Sequence, residues 1–91
     1  MKRVEINKLK ELLFAKDEVL VDVKKVLSRK FHLKRALLLG NLYKRKVTLK
    51  FKTIEGSLRR VEATVWAVGD KFVSLKAGIT IPIKSIVSVE Y

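Results

Sequence analysis

The sequence predicts an α+β fold in which N-terminal helices pack on a five-stranded antiparallel small β-barrel. Apolar residues recur at helical spacing before Gly40 and alternate with polar residues after it. Five short strands with tight turns, in about 50 residues, favour closure into a barrel, because closure removes unpaired strand edges. The length of 91 residues suits one hydrophobic core. We therefore predict a single domain over 1–91, helical over 1–40 and a barrel over 41–91.

The first forty residues predict two helices. Asn7 is a plausible N-cap for a short first helix that ends near Ala15. Asp17 and Glu18 supply acid at the start of a second helix, where the helix dipole favours negative charge. The apolar stripe predicted for the second helix consists of Val19, Leu20, Val23, Val26 and Leu27.

The second helix is predicted to break. An unbroken continuation would rotate Lys30 and Lys34 onto the apolar stripe, so we expect a break between residues 28 and 32. A further helical segment over 33–39 should end at Gly40-Asn41, a sequence typical of helix C-termini.

The strands follow from alternating apolar and polar residues and from glycine-containing turns. Turns are predicted at Gly56, Gly69 and Gly78, and Pro82 indicates an edge strand or a strand end. The predicted strands cover 47–52, 58–68, 72–75, 79–83 and 87–91.

Basic charge is the most informative feature for function. The formal net charge is +12, and residues 1–46 hold 14 bases against five acids. No acid occurs between Asp22 and Glu55, although that stretch carries eleven bases, many of them in pairs and a triplet. Like charges repel when clustered, so this pattern is typical of a surface that binds a polyanion. The candidate nucleic-acid contacts are Lys24, Lys25, Arg29, Lys34, Arg35, Tyr43, Lys44, Arg45, Lys46, Lys50 and Lys52.

The aromatic residues bear on the mode of binding. Tyr43 adjoins the basic triplet and is the better stacking candidate. Trp66 shares strand parity with Glu62 and Thr64, and we expect it to pack against the helices. We therefore predict that phosphate-backbone contacts dominate, without strong sequence specificity.

Several classes of function are disfavoured. The chain has no Cys and a single His, so disulfides, thiolate metal sites and multi-His zinc sites are excluded. It has no Gly-rich phosphate loop and no nucleophile motif. We predict a protein that is not an enzyme and uses no cofactor or metal. No apolar run approaches a membrane span and no signal peptide is evident, which favours the cytoplasm.

Two short segments resemble Sm-like proteins, which are SH3-type small β-barrels. Asp70-Lys71-Phe72-Val73-Ser74-Leu75 is similar to the Sm pattern of Asp, two residues, an apolar residue, Asn and an apolar residue, with Ser74 in place of Asn. Ile81-Pro82-Ile83-Lys84-Ser85-Ile86 resembles the region of the closing strand. The family's Arg-Gly and Lys-His pairs are absent, so no uridine pocket is carried over. The resemblance implies an SH3/Sm-like barrel associated with RNA and able to form oligomers.

Three hypotheses of function remain. The first is a non-catalytic nucleic-acid-binding module, with RNA preferred to DNA because of the Sm-like resemblance. The second is a protein-interaction or assembly module that forms homo-oligomers through strand edges, such as Val87-Ser88-Val89. The third is peripheral membrane binding, which we rank last because the core is expected to use the apolar stripe of the second helix.

Overall fold

In the computed structural model, which describes residues 1–91, the chain forms one α-helix and seven β-strands. The helix, α1, covers Val23–Tyr43. The strands are β1 (Lys2–Arg3), β2 (Val47–Lys52), β3 (Leu58–Ala63), β4 (Val65–Val68), β5 (Phe72–Leu75), β6 (Thr80–Pro82) and β7 (Ile86–Glu90). Short 3₁₀ helices cover Ile6–Glu11, Lys76–Gly78 and Ile83–Ser85.

The strands form two open sheets. One has the order β1-β3-β2-β7 and the other the order β4-β5-β6. All neighbouring strands are antiparallel except β1 and β3. The α+β class is therefore correct, but the predicted five-stranded SH3/Sm-like barrel over 41–91 is wrong, because neither sheet closes.

The barrel prediction fails at the long second strand expected over 58–68. The ladder between β2 and β3 ends where Val47 pairs with Ala63, because the chain before Val47 turns away into α1. Beyond the buried Thr64, β4 has no partner in the first sheet and pairs with β5 instead. One predicted strand is thus two strands in different sheets.

The other strands lie close to their predicted positions. β2 and β5 have the predicted bounds, β6 falls inside 79–83, and β7 begins one residue earlier than predicted. Pro82 ends β6, which is an edge strand as expected. β1 was not predicted, since two polar residues carry no alternation.

The N-terminal region contains one α-helix instead of the predicted helices. The expected first helix is a 3₁₀ segment, Ile6–Glu11. α1 begins after Asp22, whose carboxylate accepts a hydrogen bond from the backbone N–H of Lys24. It continues through residues 28–32 without a break and past Gly40, ending at Lys44 in a left-handed conformation.

The predicted break is absent because a different face of α1 is buried. The buried residues of the helix are Arg29, Leu33, Ala36 and Gly40. Val23 and Leu27, which were assigned to the apolar stripe, are exposed. With Arg29 on the inner face, Lys30 and Lys34 stay in solvent and an unbroken helix is compatible with the core.

The core is one cluster of 14 buried apolar residues drawn from the helix, both sheets and the N-terminal 3₁₀ segment. Its members are Leu9, Leu33, Ala36, Val47, Leu49, Phe51, Val61, Ala63, Val65, Val73, Leu75, Ile81, Ile86 and Val89. Alternate residues of β2 point into this cluster, which is the pattern that the sequence indicated.

Arg29 is held on the inner face of α1 by an ion pair that is buried at its arginine end. Its Nη1 donates to Glu18 Oε2 at 2.7 Å and to the Ile86 carbonyl at 2.9 Å, and its Nη2 donates to Glu18 Oε1. These hydrogen bonds lower the pKa of the Glu18 carboxyl below its ordinary value, although partial burial acts in the opposite direction. The pair therefore ties the segment before α1 to the helix and to β7.

Gly40 allows α1 to approach β4 closely. A Cβ at this position would lie 2.3 Å from the carbonyl oxygen of Val65. No side chain fits at that distance from backbone, so this glycine is needed for close packing and does not end the helix.

Glu18→Gln should destabilise the fold by about 3 kcal/mol, because it leaves the buried Arg29 charge with a neutral partner. Adding Arg29→Met should recover part of this stability, since the double variant buries no unpaired charge. Urea denaturation at pH 7 measures both effects. A double variant less stable than Glu18→Gln alone would contradict this role for the pair.

The same carboxylate predicts a dependence of stability on pH. The pKa of Glu18 in the folded state lies below its ordinary value of 4.5, so the stabilisation is fully present above that pH. It is lost as pH falls through the lower folded-state pKa. The free energy of unfolding of the wild type should therefore drop more steeply below pH 4.5 than that of Glu18→Gln. Parallel curves for the two proteins would contradict the prediction.

Gly40→Ala should destabilise the protein by about 2 kcal/mol, because the new methyl group clashes with backbone. In an exposed helix the same change stabilises by about 1 kcal/mol, so the sign is diagnostic. Gly69→Ala is a matched control, since a Cβ there meets its nearest atom at 3.4 Å. Thermal and urea denaturation of both variants distinguish a specific clash from a general effect of replacing a glycine.

Candidate nucleic-acid interface

The predicted nucleic-acid contacts fall into three groups and one outlier. Lys24, Lys25, Lys34 and Arg35 are exposed on α1. Tyr43, Lys44, Arg45 and Lys46 are exposed at the end of the helix. Lys50 and Lys52 lie half-buried on β2, and Arg29 is the outlier.

Arg29 is not available to a polyanion. Its side chain is only 4% exposed, and Glu18 and the Ile86 carbonyl occupy its guanidinium. The predicted contact of Arg29 with nucleic acid requires an exposed side chain, whereas this side chain is buried. The charged residues closest to Arg29 in the sequence are all basic, so nothing nearby indicated that Glu18, eleven residues earlier, would be its partner.

The outer face of the first sheet is compensated by acids from other strands. Lys50 Nζ lies 2.7 Å from Glu90 Oε1, and Arg3 Nη2 lies 3.9 Å from Glu62 Oε2. Within the acid-free stretch, tertiary structure thus supplies a carboxylate to Lys50. Lys50 does not extend an uncompensated basic stripe along β2.

Tyr91 packs against α1 through contacts with Arg35 and His32. The Arg35 guanidinium lies 5.6 Å from the centroid of the Tyr91 ring, and the Tyr91 hydroxyl shares a hydrogen bond with His32 Nδ1. Partial burial raises the pKa of the Tyr91 hydroxyl, while the charge of Arg35 acts to lower it. These contacts fasten the C-terminal residue to the helix, so Arg35 has a packing role as well as a charge.

The cationic triplet follows the C-terminus of α1. Lys44 adopts φ = 53° and its backbone N–H donates to the Gly40 carbonyl at 3.0 Å, while the N–H of Arg45 donates to the Leu39 carbonyl. Positive side chains at this end also offset the negative end of the helix dipole. The cap directs the chain away from the helix axis toward β2.

A polar cleft lies between the end of α1 and the second sheet. Its volume is about 480 Å³, and it is lined by Gly40, Asn41, Lys44, Thr64, Trp66 and Lys76. Trp66 is 53% exposed and is the one large apolar side chain of the lining. The residues that line the cleft therefore include one tryptophan, two lysines and one asparagine.

Trp66 and Lys76 were not among the predicted contacts. The sequence assigned Trp66 to packing against the helices, but its ring is half-exposed beside Lys44. Its strand parity, opposite the buried Val65, was the available signal for an outward ring. Lys76 is joined to this site only by the fold, because its backbone N–H donates to the Thr64 carbonyl at 3.0 Å.

The arrangement can hold a flat ring and a nearby anion. An exposed indole can stack on a base, and lysine side chains that line the same cleft can contact phosphates. The structure contains no group of three or more His, Asp or Glu side chains that could hold a metal ion.

Comparisons with protein-family models, curated proteins and solved structures give no match for this chain.

Proposed function

We propose that the protein is a non-catalytic nucleic-acid-binding module that holds single-stranded RNA at the Trp66 cleft. One observation carries the proposal, namely the half-exposed indole of Trp66 in a cleft that it shares with Lys44 and Lys76. Exposed aromatic rings beside basic side chains are the usual platform for unpaired bases. The sequence favoured phosphate contacts as the dominant mode with Tyr43 as the better stacking candidate, and the proposal adds stacking on Trp66.

The charge distribution supports an anionic ligand at this end of the molecule. Arg45 and Lys46 directly follow Lys44 and have no ion pairs, so their charges are uncompensated. Tyr43 is exposed next to them and offers a second ring. A strand that stacks on Trp66 can therefore continue across several cations.

The preference for RNA is part of the proposal and rests on the sequence resemblance of segments 70–75 and 81–86 alone, since the barrel that this resemblance implied is not formed. The Asn41 amide in the cleft adds a donor and an acceptor that can bond to a base edge or a 2′-hydroxyl. We place this activity in the cytoplasm. No helix in the structure is both long enough and apolar enough to span a bilayer.

Trp66 is the only tryptophan, so its own fluorescence tests the proposal without a label. Titration with an unlabelled oligouridylate of ten nucleotides should quench the Trp66 emission, because a stacked base contacts the indole directly. Trp66→Ala should weaken binding of a labelled oligonucleotide by roughly ten- to a hundredfold in anisotropy measurements, the usual effect of removing one stacked base. Oligothymidylate and a duplex of equal length test the preferences for RNA and for single strands.

Binding without quenching, with Trp66→Ala unaffected, would show that the polyanion lies elsewhere. Phe72→Ala is a matched control, since Phe72 is also a half-exposed aromatic on the second sheet but does not line the cleft. Its affinity should equal that of the wild type.

Lys44→Glu combined with Lys76→Glu should weaken binding at every ligand sequence by similar factors and should reduce the salt dependence. Removing one phosphate contact lowers the slope of log K against log salt by about 0.7 for a single strand. The matched control is Lys71→Glu with Lys84→Glu, which makes the same charge change outside the cleft. Equal weakening in both double variants would mean that net charge alone drives association.

The assembly hypothesis keeps one specific observation in its favour. β7 is an edge strand with β2 as its only partner, so its second edge is not hydrogen-bonded to another strand. Strand addition there would pair residues 87–89 of two chains. A discrete oligomer in light scattering, combined with no affinity for any nucleic acid at low salt, would favour assembly over the proposed function.

A further inference from the structure

α1 carries a second apolar face that points away from the core. Leu27, Phe31, Leu38 and Leu42 are each between 59% and 68% exposed. Their spacing of four, seven and four residues places them in one line along the helix, about 22 Å long at 1.5 Å per residue. We call these four side chains the outer ridge.

The charged residues that border the outer ridge are all basic. Lys24, Lys30, Lys34 and Arg35 are exposed beside it, and none of them forms an ion pair. α1 contains no acidic residue. The acid nearest to it, Asp22, is the N-cap and lies before the first helical residue. Exposed apolar side chains in a row are unusual on a protein surface and mark an interaction site.

We propose that the outer ridge docks on an anionic membrane surface, with α1 lying parallel to the bilayer. A convex row of side chains on one helix can enter a flat headgroup layer at the same time along its whole length. The flanking lysines keep their charge near the lipid phosphates while their stems cover apolar surface. Each such cation adds electrostatic attraction to an anionic surface.

The position of Lys34 favours lipid over a protein occupant. It lies between Phe31 and Leu38 along the helix, so packing a partner helix on the ridge would bury its ammonium group. Burial of an unpaired charge is costly, whereas at a lipid surface the same side chain can extend to a phosphate.

Charge argues against a second copy of the chain. Two outer ridges in contact would bring eight cations together, four from each copy, with no acid on either helix. Such an arrangement lacks any local relief from like-charge repulsion. An acidic peptide remains the competing partner, and binding to lipid vesicles distinguishes the two.

The sequence ranked peripheral membrane binding last because the apolar stripe of this helix was assigned to the core. The structure removes that reason, since Leu27 of that stripe lies on the outer ridge. The inference is also independent of the proposed function, because none of the ridge side chains lines the Trp66 cleft.

The direct test places a fluorophore in the ridge. Phe31→Trp in a Trp66→Phe background gives a protein whose only tryptophan reports on the ridge. With vesicles of phosphatidylcholine and 30% phosphatidylglycerol, its emission should shift to the blue and be quenched by brominated acyl chains. Phosphatidylcholine alone should give neither change.

Co-sedimentation with the same vesicles tests the apolar contribution. Leu27→Gln with Leu38→Gln keeps every charge and should weaken vesicle binding at least tenfold. The matched control, Leu13→Gln with Val21→Gln, changes two exposed apolar residues outside α1 and should bind like the wild type. Circular dichroism checks that all variants are folded.

Three results would overturn the proposal. Equal vesicle binding by the ridge variant and the control would mean that charge alone attracts the protein to lipid. No vesicle binding, with a dimer that only the ridge variant disrupts, would assign the ridge to self-association. No vesicle binding, with ridge-dependent affinity for an acidic amphipathic peptide, would assign it to a protein partner. Absence of oligonucleotide binding in the Trp66 experiment leaves this outcome unaffected, so the two proposals fail separately.

Discussion

The ion pair between Arg29 and Glu18 determines the rotation of α1, and the surfaces of the protein depend on that rotation. A guanidinium that is 4% exposed must have its partners inside, and Glu18 and the Ile86 carbonyl supply them. With Arg29 facing inward, Leu33, Ala36 and Gly40 follow at helical spacing and form the rest of the inner face. The apolar Leu27 and Phe31 are then left outside. The same hydrogen bonds connect the preceding loop to β7, so the pair fixes both the position and the phase of the helix.

The features that the sequence predicted well are those decided by neighbouring residues. β2 and β5 have their predicted bounds because alternation and glycine turns are local signals. The face of α1 that is buried could not be predicted in the same way. Counting apolar residues put Val23 and Leu27 inside and Arg29 outside, whereas a carboxylate from another segment makes Arg29 a core residue. The error at Thr64 has a similar origin, because only the end of the β2 ladder shows that the long strand must change sheets.

The candidate interface shows the same division between local and tertiary information. The triplet at 44–46 could be predicted because its residues are adjacent in sequence. Lys50 was predicted as free because its partner Glu90 lies forty residues away. Trp66 and Lys76 join Lys44 only through the approach of α1 to β4 and the turn after β5. A cluster that the fold assembles from three segments cannot be recognised from the residue spacing within any one of them.

Gly40 links the packing of the core to the proposed binding cleft. It lines the cleft, and its missing side chain lets α1 lie against the Val65 carbonyl, which precedes Trp66 in β4. Any side chain at this position must push the end of the helix away from the sheet. Asn41 and Lys44 would move with the helix, whereas Trp66 and Lys76 would stay with the sheet. The distance between the aromatic ring and the first cation of the triplet is thus set by a packing contact. Leu38 and Leu42 of the outer ridge flank Gly40 and would move with the helix, but they point away from the sheet, so their spacing along α1 is kept.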